Sequence, residues 1–81
     1  MRHTMKGQLA LSLAGRDKNR IFMIVQELDE NYVFIADGQL RKIDNPKRKK
    51  LKHLKLLGRE EVLPATNREL ESLIKSISLQ S

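Results

Sequence analysis

The chain has 81 residues and no cysteine, and its 16 lysine and arginine residues against 10 aspartate and glutamate residues give a formal net charge of +6. This length fits one small domain and leaves little room for the deep pocket of a large multi-step enzyme. The lack of cysteine excludes disulfides, cysteine-ligated metal sites and a thiol nucleophile.

Membrane insertion and export are not indicated by the sequence. The longest apolar run, Ile21 to Val25, is far shorter than the roughly 20 residues that a membrane-spanning helix needs. Residues 1–6 are polar and lack the apolar region of a secretory signal. We therefore expect a cytoplasmic protein without membrane contact.

The charge is segregated along the chain. Residues 1–20 carry a net charge of +4, residues 21–40 of −4, residues 41–59 of +8 and residues 60–81 of −2, which sum to +6. Such a separation is what an oriented basic surface requires. A small basic domain of this kind favours a polyanionic partner, with nucleic acid ahead of an acidic membrane surface or an acidic protein.

Three segments in the first half of the chain have the sequence patterns of β-strands. Residues 8–13 place leucine at every second position, which is typical of a half-buried strand. Residues 21–28 are rich in β-branched and aromatic side chains, and residues 32–36 continue this composition after a short acidic turn. The pattern predicts three consecutive strands, of which the second and third form a hairpin.

The middle of the chain predicts a further strand and then an interruption. Leu40 to Ile43 can form a short fourth strand. The Asn45-Pro46 pair ends this strand, because proline has no amide hydrogen to donate to the sheet. The irregular spacing of the leucines in residues 51–57 predicts a bulge or turn near residues 52–53.

The C-terminal segment has the pattern of an amphipathic helix. Thr66 and Glu69 form a Thr-x-x-Glu capping box, which satisfies free amide groups at a helix start. Apolar residues then follow at the helical positions Leu70, Leu73, Ile74 and Ile77. This stripe either packs against the strands or docks on a partner, and packing is favoured because a short isolated helix is marginally stable.

These elements describe a mainly β fold, a small barrel of four to five antiparallel strands with a C-terminal α-helix. Along the chain we expect a flexible N-terminal segment over residues 1–6, a barrel over 7–57, a linker over 58–65 and an amphipathic helix over 66–79. Gly15 and Asn19 lie in the turn between the first two strands, and both residue types tolerate the positive φ that a turn can require.

Catalytic, metal and cofactor sites are not indicated. The acidic residues at 27–30 and 60–61 have no histidine, serine or lysine arranged around them, as an acid–base pair would need. His3 and His53 are too few to suggest a metal site, and no phosphate-binding glycine loop occurs. We expect a protein that is not an enzyme and that holds no metal and no cofactor.

The segment 47–55 is the strongest chemical signal, because seven of its nine residues are lysine, arginine or histidine. Such a run can be a solvated surface or a localisation tag, but its position between apolar strands favours a structured phosphate-binding surface. Phe22, Tyr32 and Phe34 lie at strand positions that suit a core, which disfavours stacking on single strands. Recognition of folded RNA by phosphate and shape fits better.

Residues 7–25 resemble a KOW motif, with alternating apolar residues, a glycine-centred basic turn and a second apolar strand. Together with residues 28–35, the basic run at residues 47–50 and residues 52–54, they resemble the KOW barrel of archaeal and eukaryotic large-subunit ribosomal proteins. The chain is most similar to the stand-alone bacterial KOW-domain RNA-binding proteins related to them. The resemblance covers residues 5–57.

The resemblance implies a small SH3-like barrel that binds ribosomal or other structured RNA near the glycine turn and the basic run. Gly15 matches the glycine that shapes the turn, and Arg16, Lys18 and Arg20 match its basic flank. Asn19 stands where many family members have a second glycine, so the tip of the turn differs from the family pattern. Residues 59–81 lie outside the resemblance.

The sequence therefore predicts a non-catalytic, ribosome-associated or translation-related protein that binds structured RNA, above all ribosomal RNA. The alternative is a protein-interaction module, in which the barrel or the C-terminal helix docks on the translation or transcription machinery. The residues expected to contact RNA are Arg16, Lys18, Arg20, Arg41, Lys42, Lys47, Arg48, Lys49, Lys50, Lys52, His53 and Lys55.

Overall fold

The computed structural model describes residues 5–79. His3 and most of the N-terminal segment for which flexibility was expected lie outside the described residues. The strands are β1 (Gln8–Ser12), β2 (Ile21–Glu27), β3 (Tyr32–Ala36), β4 (Lys47–Lys50) and β5 (Leu54–Glu60), and the helix is α1 (Asn67–Leu79). A 3₁₀ helix, Leu51–His53, joins β4 to β5.

The five strands form one antiparallel sheet in the order β4-β3-β2-β1-β5. The prediction of a mainly β fold with antiparallel strands and a C-terminal helix is confirmed. The turn expected near residues 52–53 is the 3₁₀ helix. The prediction of a strand over Leu40 to Ile43 is wrong, since these residues belong to a loop and the basic run itself forms β4.

The loop replaces a strand at this point because of Asp37. One carboxylate oxygen of Asp37 accepts hydrogen bonds from the amides of Gln39 (3.0 Å) and Arg41 (2.9 Å). The carbonyl of Arg41 in turn accepts from the amides of Asp37 and Gly38, both at 3.0 Å. This local network closes the chain on itself and removes these amides from any strand ladder.

The sheet curves until its two edges approach each other. Strands β4 and β5 lie at opposite edges, and in a flat sheet four strand spacings would separate them by about 19 Å. The connecting 3₁₀ helix has three residues, and such a helix rises about 6 Å over that length. A connection this short forces the sheet into a barrel-like shape.

Two apolar layers lie on the two faces of the curved sheet. The inner layer consists of the buried residues Ala10, Phe22, Ile24, Val33, Ile35 and Leu54. The outer layer consists of Leu9, Met23, Val25, Ala36 and Leu70, with Phe34 and the helix residues Leu73, Ile74 and Ile77 packed against it. Because β2 is covered on both faces, its apolar run is continuous rather than alternating.

The helix begins at a capped N-terminus. Thr66 Oγ1 accepts a hydrogen bond from the amide of Glu69 at 3.2 Å. The carboxylate of Glu69 accepts from the amide of Ala65 at 3.3 Å, one residue earlier than the usual capping box. Leu70 is fully buried against the sheet, so the apolar stripe packs on the strands. Within residues 5–79, no helix combines the length and apolar character that crossing a membrane requires.

Candidate nucleic-acid interface

Two basic loops meet at one end of the barrel. The first loop, residues 13–20, joins β1 to β2, and the second loop, residues 37–46, joins β3 to β4. An ion pair between Arg20 Nη2 and Asp37 Oδ2, 3.5 Å long, connects them. We call this part of the molecule the loop end.

The first loop is a compact double turn. The amide of Lys18 donates to the carbonyl of Gly15 (3.2 Å), and the amide of Arg20 donates to the carbonyl of Asp17 (3.1 Å). Gly15 has a φ of +85° and Asn19 a φ of +72°, so the expected use of asparagine at a positive φ is confirmed. The side chains of Arg16 and Lys18 are exposed on this turn.

A buried carboxylate anchors the first loop to β4. Asp17 accepts hydrogen bonds from Ser12 Oγ (2.8 Å), Lys49 Nζ (2.9 Å) and Lys47 Nζ (3.1 Å). Lys49 Nζ also donates to the carbonyl of Ala14 at 2.9 Å. The side chains of Asp17 and Lys49 are 9% and 8% exposed. The network therefore links the start of the loop to a strand on the far edge of the sheet.

The anchoring contacts keep Asp17 ionised. Burial alone would raise the pKa of its carboxyl group, because a charge is poorly solvated inside a protein. Hydrogen bonds from Lys49, Ser12 and Lys47, together with the charge of Lys49, outweigh burial and hold the pKa well below its ordinary value. The carboxylate is thus charged and internally compensated at neutral pH.

The second loop is organised by Asp37 and tied to the helix. The hydrogen bonds that Asp37 accepts from backbone amides fix the backbone around Arg41. The amide of Ile43 donates to Asn67 Oδ1 at the helix start, 2.7 Å away. Gly38 has a φ of +82°, and a Cβ atom there would lie 2.2 Å from the carbonyl oxygen of Asn67. The loop therefore packs closely on the helix while Arg41 and Lys42 remain exposed.

The basic strand β4 divides its side chains between two faces. Lys47 and Lys49 pair with Ile35 and Val33 of β3, and side chains of directly opposed residues share a face. This face is the barrel interior, so both ammonium groups reach Asp17. The predicted contact residue Lys49 is buried, and its ammonium group is used inside the fold.

On the outer face of the sheet, Tyr32 of β3 lies close to two cations of β4. Arg48 Cζ lies 4.9 Å from the centre of the Tyr32 ring, and Lys50 Nζ lies 5.8 Å from it. These are cation–π distances. Tyr32 is half-buried on this surface, whereas the sequence suggested a core position. Phe22 is fully buried as expected.

The last three predicted contact residues follow β4 along the chain. Lys52 and His53 belong to the 3₁₀ helix, and Lys55 lies on β5. The carbonyl of His53 accepts a hydrogen bond from the amide of Leu13 at 2.8 Å, which places His53 beside the start of the first loop. Lys52 and Lys55 are exposed and His53 is half-buried.

A small cavity opens between the two loops. Its volume is about 180 Å³, and it is lined by Arg16, Asp17, Phe22, Leu40, Arg41 and Lys47. Within residues 5–79, no side chain pairs with the guanidinium group of Arg16 or of Arg41. In the same part of the chain, histidine, aspartate and glutamate side chains do not gather into a metal-binding group of three or more.

Sequence reasoning missed the two aspartates that organise the loop end. Asp17 is the one acidic residue among the cations of the first loop, and Asp37 precedes a glycine in a turn. A single acidic residue inside a basic turn is a signal of an internal ion pair, because an exposed carboxylate there would weaken the binding of an anion. For Asp37 the sequence indicates only a turn, because the residue precedes Gly38.

Comparisons with known proteins return no match: neither a protein-family model nor a curated protein sequence matches this chain. The geometry of the loop end therefore carries the functional argument. That geometry offers exposed cations on fixed backbone, which suits binding of an anion.

Proposed function

We propose that this protein is a non-catalytic RNA-binding protein. It recognises structured RNA, above all ribosomal RNA, by contacting the phosphates and by fitting the three-dimensional shape of the RNA. The proposal rests on one observation, the asymmetry of charge exposure at the loop end. There the cations of two loops are exposed, while the aspartates that hold these loops are buried.

The asymmetry gives the loop end a positive field directed towards solvent. Arg16, Lys18 and Arg41 are exposed, whereas Asp17 and Asp37 are 7% and 4% exposed and bound within the fold. A buried carboxylate that is paired internally repels an approaching phosphate less than an exposed one at the same position. The exposed cations therefore dominate the encounter with a polyanion.

The loops are also held in place before binding. Hydrogen bonds that Asp17 and Asp37 accept hold the two loops that carry the cations. A cation on ordered backbone loses less conformational entropy on binding than one on a flexible tail. This favours a structured RNA, whose phosphates have a fixed arrangement, over a single strand that can adapt to any basic surface.

The resemblance to KOW-domain proteins supports the same proposal. The turn at Gly15, which carries the resemblance, lies in the first loop, and the basic run supplies Lys47 and Arg48 next to it. The expected role is in a ribosome-associated or translation-related process in the cytoplasm.

The salt dependence of binding tests this proposal. We expect the purified chain to bind a labelled ribosomal RNA fragment in preference to duplex DNA and to a single-stranded homopolymer. If about six phosphates are contacted, affinity falls on the order of a thousandfold between about 50 and about 200 mM salt. A shallow salt dependence, or equal affinity for all three polyanions, contradicts the proposal.

A matched pair of variants localises the effect. The double variant Lys18→Gln/Lys42→Gln removes one exposed cation from each loop, and Arg68→Gln/Lys75→Gln removes two exposed cations from the helix. We expect the loop variant to lose about tenfold in affinity or more at low salt, with a shallower salt slope. Equal loss in both variants would indicate a diffuse charge effect without an oriented surface.

A protein-interaction module remains the alternative, and one feature favours it. A groove of about 590 Å³ lies between the outer face of the sheet and the C-terminal half of α1, with Leu11, Ile21, Leu57, Ile74 and Ile77 among its lining residues. If RNA binding fails the salt test, this groove is where a protein partner from the translation or transcription machinery is to be sought.

A further inference from the structure

We propose that the cavity between the two loops is a binding site for a single phosphate group of an RNA. This inference rests on the proposed function and deepens it, because it separates one built site from the general basic surface. The cavity has a volume of about 180 Å³ and lies where the first loop, the second loop and the start of β4 converge.

Three cations from three different segments line the cavity. Arg16 comes from the first loop, Arg41 from the second loop and Lys47 from the first position of β4. Asp17 is the acidic residue in the lining. Because Lys49, beneath the lining, also bonds to Asp17 at 2.9 Å, the carboxylate is already compensated and the three lining cations retain an excess of positive charge.

The cations differ in what they can donate. Lys47 is held by Asp17 at 3.1 Å and is 30% exposed, so its ammonium group is fixed at the edge of the cavity with donors to spare. The guanidinium groups of Arg16 and Arg41 have no partner within residues 5–79. Two forked donors and one point charge suit a tetrahedral oxyanion, which offers several acceptor oxygens in different directions.

The rest of the lining is apolar. Leu40, which is exposed, contributes carbon surface to the same cavity, and the Phe22 ring that also lines it is buried. A ribose ring adjoining a phosphate presents such a carbon surface beside its charged group, whereas a free inorganic anion has none. The lining can therefore bind a phosphate group and also accommodate the sugar that adjoins it in a nucleotide chain.

The backbone around the cavity is ordered by the same contacts that hold the loops. Arg16 lies between Gly15, with its positive φ, and the anchored Asp17. The amide of Arg41 donates to Asp37 at 2.9 Å. Binding a phosphate there requires only the two arginine side chains to settle, so the entropy lost on binding is small.

The first experiment titrates the full chain with inorganic phosphate at constant ionic strength set by chloride, and follows backbone amide signals by NMR. We expect saturable shifts for residues 15–18, 39–45 and 47 in the parent protein. The variant Arg16→Gln/Arg41→Gln loses these shifts, and the helix variant Arg68→Gln/Lys75→Gln retains them. Shifts that stay linear, or that persist in the arginine variant, overturn the site.

The second experiment measures RNA affinity for the same proteins, after equal urea unfolding midpoints have shown that the variants are folded. We expect the arginine variant to bind the ribosomal RNA fragment at least about tenfold more weakly at low salt, with a log–log salt slope smaller by about 2. The helix variant keeps the parent affinity.

The two proposals fail in different ways. If the parent binds RNA with a steep salt slope but the arginine variant binds equally well, the phosphate site is wrong and the RNA-binding function stands. If the parent shows saturable phosphate shifts but does not bind RNA, the site holds a phosphate from another source, and the RNA assignment of both proposals is overturned.

Discussion

Lys49 Nζ lies 2.9 Å from Asp17 Oδ1, and the two side chains are 8% and 9% exposed. The pair joins residues 32 positions apart in the chain. Lys49, although part of a basic run that resembles a surface segment, therefore has a structural role and holds the first loop against β4. The exposed cations of the first loop are therefore held in position by an ion pair that lies in the barrel interior.

Replacement of Asp17 by asparagine tests the structural part of this arrangement. Asp17→Asn leaves the ammonium group of Lys49 buried without a counter-charge, and removal of one partner of a buried ion pair costs on the order of 3 kcal/mol. We expect a clearly lower urea midpoint, followed by circular dichroism. Asp44→Asn, an equal charge change at an exposed position of the second loop, leaves the midpoint unchanged. Equal midpoints for the two variants would contradict the anchoring role.

The stability contributed by Asp17 depends on pH in a defined direction. Burial raises the pKa of its carboxyl group, but the hydrogen bonds from Lys49, Ser12 and Lys47 lower this pKa by a larger amount. The pKa of Asp17 in the folded protein therefore lies below its pKa in the unfolded chain. The contribution is complete above the unfolded pKa of about 3.9 and is lost as the pH falls towards the folded pKa. We expect the difference in unfolding free energy between the parent and Asp17→Asn to shrink from about pH 5 downwards. A difference that grows on acidification would reverse the assignment.

The elements predicted correctly are those specified by local pattern. The period-two leucines of β1, the β-branched run of β2 and the capping residue Thr66 act within a few neighbouring residues, and the strands and the helix start where these signals lie. Strand β4 could not be predicted in this way, because lysine is depleted in strands. It forms a strand because Lys47 and Lys49 meet a carboxylate that is 30 and 32 residues away in the chain.

The candidate site was predicted only in part for the same reason. Exposure of Arg16 and Lys18 follows from their place in a turn, and the family resemblance pointed to that turn. The division of β4 into inner and outer lysines depends on its register with β3, which no local pattern specifies. The anchoring role of Asp17 became visible only with that register.

Substitution of two adjacent lysines of β4 distinguishes a role in protein stability from a role in RNA binding. Lys49 is 7% exposed and bonds to Asp17, whereas Lys50 lies on the outer face, 5.8 Å from the Tyr32 ring centre. We expect Lys49→Gln to lower the unfolding free energy by about 2 kcal/mol or more. Lys50→Gln changes stability by less than about 0.5 kcal/mol.

RNA affinity, measured at a temperature where both variants are folded, shows the opposite order. Lys50→Gln weakens binding and reduces the salt slope by about 1. If Lys49→Gln leaves stability intact and weakens binding instead, the ammonium group of Lys49 faces the RNA and the internal assignment of β4 is wrong.

The contact between the second loop and the helix is tested by two glycines with similar backbone conformations. Gly38 has a φ of +82° and Gly58 a φ of +71°, but a Cβ atom at Gly38 would lie 2.2 Å from the carbonyl oxygen of Asn67, and one at Gly58 would have no neighbour within 4 Å. Both alanine variants incur the left-handed backbone penalty of about 1 kcal/mol. Gly38→Ala must in addition displace the helix start from the loop.

We therefore expect Gly38→Ala to be the less stable variant by a clear margin in urea unfolding, and amide exchange to be faster in the first turn of α1 and around Ile43, whose amide donates to Asn67 Oδ1. Because the second loop carries Arg41, RNA affinity falls in Gly38→Ala and is retained in Gly58→Ala. Equal stability of the two variants would mean that the helix is free to move away, and that its packing on the loop does not hold Arg41 in place.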